Sequence, residues 1–405
     1  MKLKLKYLPF KIFLIFASLL ILRIYFSYLN YLNFTSKKYQ NIEALVINQY
    51  KKKNYYVLKL RADNVTFYTT SKEDLKNILN EKINLTIVTK NITFYKYLFG
   101  FYAPSFNLKL IPVDFLDFYI EKQHENKDLA NLFKALFFGK SIPFFIREKL
   151  SALGISHLFA LSGLHLAFIS MFLYFLFYPV YSMIHKKFPY RNRYIDLGII
   201  ILIFEFLYLC FSGFAPSLLR AFILEIILFL YLIYLQNPLK EEILLMLLFF
   251  SFIFFEKVLS IGYFLSFLGV FYIYLFFKYF KPTVINTIIL SFYMFLMMNI
   301  FSHYFFGEFS IYKLFSPFIN ILFSIFYPIE IFLHVFGFGG VFDEVILKYL
   351  NFGNEYIVIK FPLMFVLLFL ILSIIALYKK WAFYGINIIA ILSLIYLIGV
   401  WCGKV

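Results

Sequence analysis

Apolar residues in this chain run in blocks of about 20, the length a helix needs to cross roughly 30 Å of hydrocarbon at about 1.5 Å of rise per residue. The blocks lie at 12–29, 157–184, 195–212, 215–235, 243–255, 258–277, 283–303, 314–336, 361–378 and 382–401. Hydrophobic residues are 62% of the 405 and the mean hydropathy is +0.81, more apolar surface than one water-soluble core of this length buries. A bilayer is the solvent that fits. The expected fold class is therefore a polytopic α-helical membrane protein. Gly and Pro inside several blocks are compatible with membrane helices.

Positive charge beside the spans sets the orientation. Lys2, Lys4, Lys6 and Lys11 precede the first block, and no small-residue cleavage site follows it, so residues 1–29 read as an uncleaved signal anchor with a cytoplasmic N-terminus. The next span then returns Lys186, Lys187, Arg191 and Arg193 to the cytoplasm, and Lys240, Lys278 and Lys281 also fall inside. Block 314–336 carries Pro317, Pro328 and Glu330, and only if it is re-entrant or interfacial do Lys379 and Lys380 stay cytoplasmic. The expectation is about nine spans with the C-terminus outside.

Residues 30–128 break the membrane pattern and read as an external β domain, a small barrel or sandwich. Residues 43–47, 55–60, 65–68 and 85–88 favour strands by their β-branched and aromatic content. The domain is basic, and its lysines are interleaved with aromatic residues. Lys51, Lys52, Lys53, Tyr55, Lys59 and Arg61 form a candidate external DNA-binding face, because cationic side chains track phosphates while rings stack on bases whatever the sequence. Solvated lysines around core aromatics would give the same pattern.

Residues 129–156 place apolar positions at helical spacing between Lys134, Lys140, Arg147 and Lys149, which suits amphipathic helices along the membrane surface. The string Phe138-Gly139-Lys140-Ser141 is not a phosphate loop, since Lys134 stands where the first Gly belongs. Cys210 and Cys402 have no paired Cys or His spacing, so no metal or cofactor is expected.

The string His157-Leu158-Phe159-Ala160-Leu161-Ser162-Gly163-Leu164-His165-Leu166 is the most informative in the chain. Ser162 and His165, three apart, share a helix face, and Gly163 permits close helix approach. Nucleophile and base is one reading; a polar helix-packing motif is the other. Ionisable residues inside spans are costly and face the bundle interior. The hairpin around Gly213 sets the intramembrane acids Glu205 and Glu225 at similar depth, with Arg220 nearer the outer surface. Arg220 either neutralises a carboxylate or meets phosphate at a channel mouth.

The string 157–166, with Gly154 leading into it, resembles the signature of the ComEC competence family. Ser212-Gly213-Phe214-Ala215-Pro216-Ser217-Leu218-Leu219-Arg220-Ala221, Gly262-Tyr263-Phe264-Leu265-Ser266-Phe267-Leu268-Gly269-Val270, and the stretch His303 to Pro328 with Phe306-Gly307 and Pro317-x-x-Asn320 resemble its further motifs in the same order. The resemblance implies an oligonucleotide-binding-type (OB-like) barrel at 30–128, a competence-type channel domain at 157–336 and C-terminal helices at 337–405. It also implies a short form without the metallo-β-lactamase-like domain of many longer members. DNA-binding or channel roles would fall on His157, Ser162, Gly163, His165, Gly213, Pro216, Ser217, Arg220 and Ser266. The implied activity is translocation of single-stranded DNA across the bacterial cytoplasmic membrane, by a transport protein and not an enzyme. An external DNA receptor, a cytoplasmic helicase-like ATPase and homo-oligomer formation are the implied partnerships. The rivals are a membrane-embedded hydrolase and a small-solute or lipid transporter.

Overall fold

The computed structural model describes residues 8–403 apart from 53–54, 63–64, 72–76, 113, 235–245, 248–249, 255–257 and 259. The chain forms two compact units: residues 1–118, 139–141 and 206–260 in the first, and 119–138, 142–205 and 261–405 in the second.

The first unit begins with helix α1 (Leu8–Thr35) and continues into β1 (Tyr39–Lys52), β2 (Tyr55–Ala62), β3 (Val65–Ser71), β4 (Lys82–Val88), β5 (Phe101–Tyr102) and β6 (Ser105–Leu110). Apolar and polar residues alternate along β2 to β4, so one face of each strand turns inward. Val46, Leu58, Leu60, Phe67, Ile83, Leu85 and Ile87 are fully buried in one core, each contributing on the order of 1.5–3 kcal/mol by burial. Tyr31 and Phe34 at the end of α1 pack against that core, and the Tyr31 hydroxyl donates to the Ile92 carbonyl at 3.0 Å.

The sheet order is β5-β3-β2-β1-β4-β6. Consecutive pieces of one segment, 101–110, occupy the two edges. Phe101 and Tyr102 pair with β3, and Ser105 to Leu110 pair with β4. The expected barrel is thus seen as a six-stranded sheet, and its pairing is not that of a closed barrel, since β5 and β6 are not neighbours in the ladder.

The second unit is helical. Two short helices, α4 (Lys127–Phe138) and α5 (Phe144–Ala152), follow α2 (Phe94–Phe99) and α3 (Phe115–Glu121) in the chain. Their buried Leu129, Leu132, Phe133, Leu136, Ile146 and Leu150 form one core with Phe323 and Tyr327. Two short helices thus occupy this stretch, and their apolar stripe is covered by protein.

Six helical segments among the described residues are long and apolar enough to cross a membrane. They are α6 (Gly163–Lys187), α7 (Arg193–Phe211), α9 (Ile261–Tyr279), α10 (Val284–Phe305), Ile311–Val335 and α14 (Lys380–Cys402). Only 11–33% of each apolar window is buried inside the protein, so most of each window looks outward and requires apolar surroundings.

The count is six where about nine were expected, for identifiable reasons. Residues 243–245, 248–249 and 255 of block 243–255 lie outside the described residues, and 361–378 contracts to the 13-residue α13 (Leu363–Ile375). Block 12–29 falls within α1, and block 215–235 is α8 (Pro216–Tyr234). Pro317, Pro328 and Glu330 do not divide block 314–336 into separate helices. A short 3-10 turn, Ile311–Phe315, leads into α11 (Ser316–Val335), which runs through Pro328, while Pro317 sits in its first turn, where a missing N–H costs nothing.

Helix α10 packs against α9, α11, α13 and α14. The Tyr272 hydroxyl of α9 meets the Ser373 hydroxyl of α13 at 2.8 Å, and Tyr279 donates to the Ala376 carbonyl at 2.6 Å. Such interhelical hydrogen bonds hold helices where neighbouring lipid and protein are equally apolar. At the α6–α7 turn, Arg191 grips Asp196 with both Nε (2.7 Å) and Nη2 (2.9 Å), and the Arg193 guanidinium lies over Tyr178 and Tyr194. The positive cluster read from sequence thus sits with tyrosines at a helix boundary, as interfacial anchors do.

Candidate functional site

In the second unit the string 157–166 is a tight approach to α6. Gly154 has φ +73°, and a Cβ there would stand 2.8 Å from Lys313 Cγ and 3.2 Å from Ser316 Cβ. Only Gly lets these segments meet. His157 is exposed and hydrogen-bonds the Asn320 side chain. Asn320 Nδ2 donates to Ser291 Oγ at 3.3 Å, and Ser291 donates to the Pro317 carbonyl at 3.0 Å. Two motif strings far apart in sequence are therefore in contact.

Ser162 is the N-cap of α6 and His165 its third residue, and together they close a capping box. The Ser162 N–H donates to His165 Nδ1 at 3.1 Å, and Ser162 Oγ is also 3.1 Å from Nδ1. Because Nδ1 accepts, a neutral ring carries its proton on Nε2, and the Leu136 backbone of α4 neighbours the ring. The ring is fully buried and stands edge-on to Tyr327, 4.6 Å between centroids. The spacing read as nucleophile and base is thus a helix cap, a signal available in the sequence as Ser-x-x-His before an apolar run. Gly163 opens α6, Ser266 is half-buried on α9, and Glu205 of α7 accepts from Ser170 of α6.

A further polar set that sequence reading missed lies on the other side of Gly154. His303 donates from Nδ1 to the Ile359 carbonyl (2.9 Å) and faces Lys313 Nζ with Nε2 (3.2 Å). Lys313 also donates to the Glu308 carbonyl at 3.3 Å, and Ser151 donates to the Glu308 carboxylate at 2.8 Å. This buried network fastens α5 to the 308–313 segment, and its partners are too distant in sequence for spacing to reveal.

In the first unit, α7 ends on a left-handed turn. Gly213 has φ +65° and Phe214 φ +55°, and Phe214 N–H reaches back to the Leu209 carbonyl at 3.0 Å, a helix stop that calls for Gly. Pro216 then opens α8, with Ser217 half-buried and Arg220 at 7% exposure. Glu225 is half-buried two turns further on. Arg61 of β2 comes to this turn: its Nη1 would lie 3.6 Å from a Cβ on Gly213, and burial lowers its affinity for its proton from the usual arginine value.

Strand register places Lys52, Tyr55, Lys59 and Arg61 on one side, while Lys51 opposes Tyr56 on the other. Lys59 Nζ lies over the Tyr68 ring at 5.5 Å, and Lys51 Nζ over Tyr56 at 5.5 Å. Lys53 lies outside the described residues. No cluster of three or more His, Cys, Asp or Glu able to hold a metal ion occurs among the described residues.

A family model described as "Competence protein" matches residues 136–403, well over half of the chain. No curated protein and no solved structure matches.

Proposed function

The chain belongs to the competence protein family, and from that premise we propose that it forms the channel for single-stranded DNA across the bacterial cytoplasmic membrane in natural transformation. The observation that supports this reading most is the position of Arg61. It shares a strand face with Lys59 and Tyr55, and it stands at the Gly213 turn that opens α8 with Pro216, Ser217 and Arg220. A strand held by its phosphates and stacked on rings at the sheet would meet a guanidinium at the start of the α8 helix. His157, Ser162, Gly163, His165 and Ser266 shape the helical unit through which it passes, with Glu205 and Glu225 as intramembrane acids.

An external DNA receptor would deliver the substrate and a cytoplasmic helicase-like ATPase would draw it inward. The protein works as a transporter in this scheme, alone or as a homo-oligomer. The hydrolase alternative draws on one contact, Ser162 Oγ to His165 Nδ1 at 3.1 Å, and capping accounts for that contact. A deletion strain tests the reading: we expect loss of transformation and of labelled DNA entry with normal growth, and unchanged entry would refute it.

A further inference from the structure

The second unit holds a row of four titratable side chains that the motif strings do not contain. His124, at the loop after α3, places Nδ1 2.9 Å from Asp343 Oδ1 and 3.1 Å from Oδ2. Asp343 opens α12 (Asp343–Asn351). His334, at the end of α11, places Nδ1 2.8 Å from the Glu330 carbonyl and 3.1 Å from Glu330 Oε2. The two rings then meet Nε2 to Nε2 at 3.1 Å.

Proton counting decides what this geometry requires. The Glu330 carbonyl can only accept, so His334 Nδ1 carries a hydrogen. If His334 is neutral, its Nε2 is a bare lone pair, and the hydrogen between the rings must come from His124 Nε2. His124 Nδ1 then either donates to an ionised Asp343, making His124 an imidazolium, or accepts from a protonated Asp343. If His334 is itself the imidazolium, its Nε2–H fills the gap, His124 accepts, and His124 Nδ1–H points at ionised Asp343. All three arrangements contain one proton more than two neutral imidazoles and a carboxylate. Without it, either two lone pairs face each other at 3.1 Å between the rings or the Nδ1 lone pair of His124 faces the Asp343 carboxylate at 2.9 Å.

We infer that His124, His334 and Asp343 form a proton-binding site in which one shared proton fastens the 119–124 segment to the end of α11 and the start of α12. Packing leaves room for a proton and little else. Phe133 stacks on His124 with centroids 4.7 Å apart and lies 4.6 Å from His334, and a Cβ on Gly339 would come within 2.6 Å of His334 Nε2. Gln123 seals the edge, donating to the His334 carbonyl at 3.2 Å and accepting from Gly339 N–H at 2.8 Å.

The charged groups on the packed elements sort cleanly. Glu121 and Lys134 pair with each other at 2.9 Å, and Glu344 and Lys348 face outward on α12. Lys122, Glu125 and Lys127 are exposed, and Asp128 lies near Lys149. Asp343 and Glu330 are the charges that act on His124 together with His334. Burial is the largest influence on His124 and lowers its proton affinity, while Asp343 raises it. The opened site holds no extra proton well above the ordinary histidine range of about 6.5 and two well below it, so a closure built on one shared proton is tightest near that range and loosens on either side. One turn along α4 from Phe133, the Leu136 backbone neighbours His165, so the site adjoins the motif at 157–166.

The test uses the full chain in nanodiscs and reads the protein alone, so it is independent of DNA transport. Amide exchange of 119–124 and 339–351, corrected for intrinsic rates, should be slowest near about pH 6.5 in the wild type and speed up about tenfold toward about pH 8 and again toward about pH 5. That change should vanish in H334Q. Nitrogen NMR of histidine-labelled wild type, with D343N for assignment, should show hydrogens on both Nδ1 atoms near about pH 6.5 and one hydrogen between the Nε2 atoms. In D343N the titration should move to lower pH by about one unit, since the countercharge is lost. Exchange independent of pH, Nε2 atoms that never gain a proton, or closure that is lost on adding a chelator at fixed pH would each overturn the proposal.

Discussion

His165 fills the third helical position of α6, where Glu or Gln ordinarily closes a capping box. Its buried ring replaces that carboxylate or amide with an acceptor that also spans to α4 and Tyr327. His165→Ala should lose about 0.5–2 kcal/mol of helix-start stability and lower DNA entry. His165→Gln keeps an acceptor and should retain most entry at equal membrane abundance. Transformation frequency alongside immunoblots checks both, and loss of entry in His165→Gln at normal abundance would show that the imidazole does more than cap. Gly154→Ala carries a different penalty, because its φ of +73° and the Lys313 side chain 2.8 Å away both oppose a Cβ. The cost should be on the order of 1–3 kcal/mol, read as reduced accumulation in the membrane.

Among elements, the sheet and the helices answer to different forces. Leu60→Ala leaves a cavity in the core that Phe67 and Leu85 share, and should destabilise the first unit by about 2–5 kcal/mol in thermal unfolding of the purified protein. On the outer side of the same strand, the double change Lys59→Gln and Arg61→Gln should leave unfolding nearly unchanged. It should weaken single-stranded DNA binding and reduce the slope of log affinity against log salt by about 0.7 for each phosphate no longer neutralised. An unaltered slope would mean that this face is merely solvated. The strands at 55–62 and 65–71 were legible because inward Leu58, Leu60 and Phe67 alternate with Lys59, Arg61, Thr66 and Tyr68. Segment 101–110 was not, because Pro104 divides it and the exposed Phe106 and Leu110 break the apolar alternation.

For the whole molecule, the segment 311–335 decides the topology. Its length and composition would let it cross a bilayer, yet both ends meet the stretch 119–154. Ser316 lies against Gly154, and the Val335 carbonyl accepts from Tyr119 at 3.1 Å. With 119–154 joining the sheet domain to α6 along the chain, contacts at both ends favour α11 lying along one side, its outward Phe318, Leu322, Ile325 and Phe332 facing lipid. Single cysteines at the exposed Phe315 and Phe338, in a chain with Cys210 and Cys402 replaced, should show the same labelling by a membrane-impermeant reagent. Opposite labelling would make α11 a true span.

What the sequence determined by itself was the solvent of each segment and the order of the motif strings. Apolar block length and two-residue alternation are local, so the membrane class of the helices and the strand cores followed from neighbouring residues alone. Gly154, Gly213 and Pro216 were legible as motif members, though not the reason each is required. Only the tertiary structure decided that Gly154 meets Lys313 and Ser316, that Arg61 reaches the Gly213 turn, and that α11 runs unbroken. It also brought His124, His334 and Asp343 together over some 210 to 219 residues of intervening chain. A hydrogen bond depends on which atoms the fold carries within 3 Å of one another, and no spacing along the chain encodes a contact between segments that the fold alone makes neighbours.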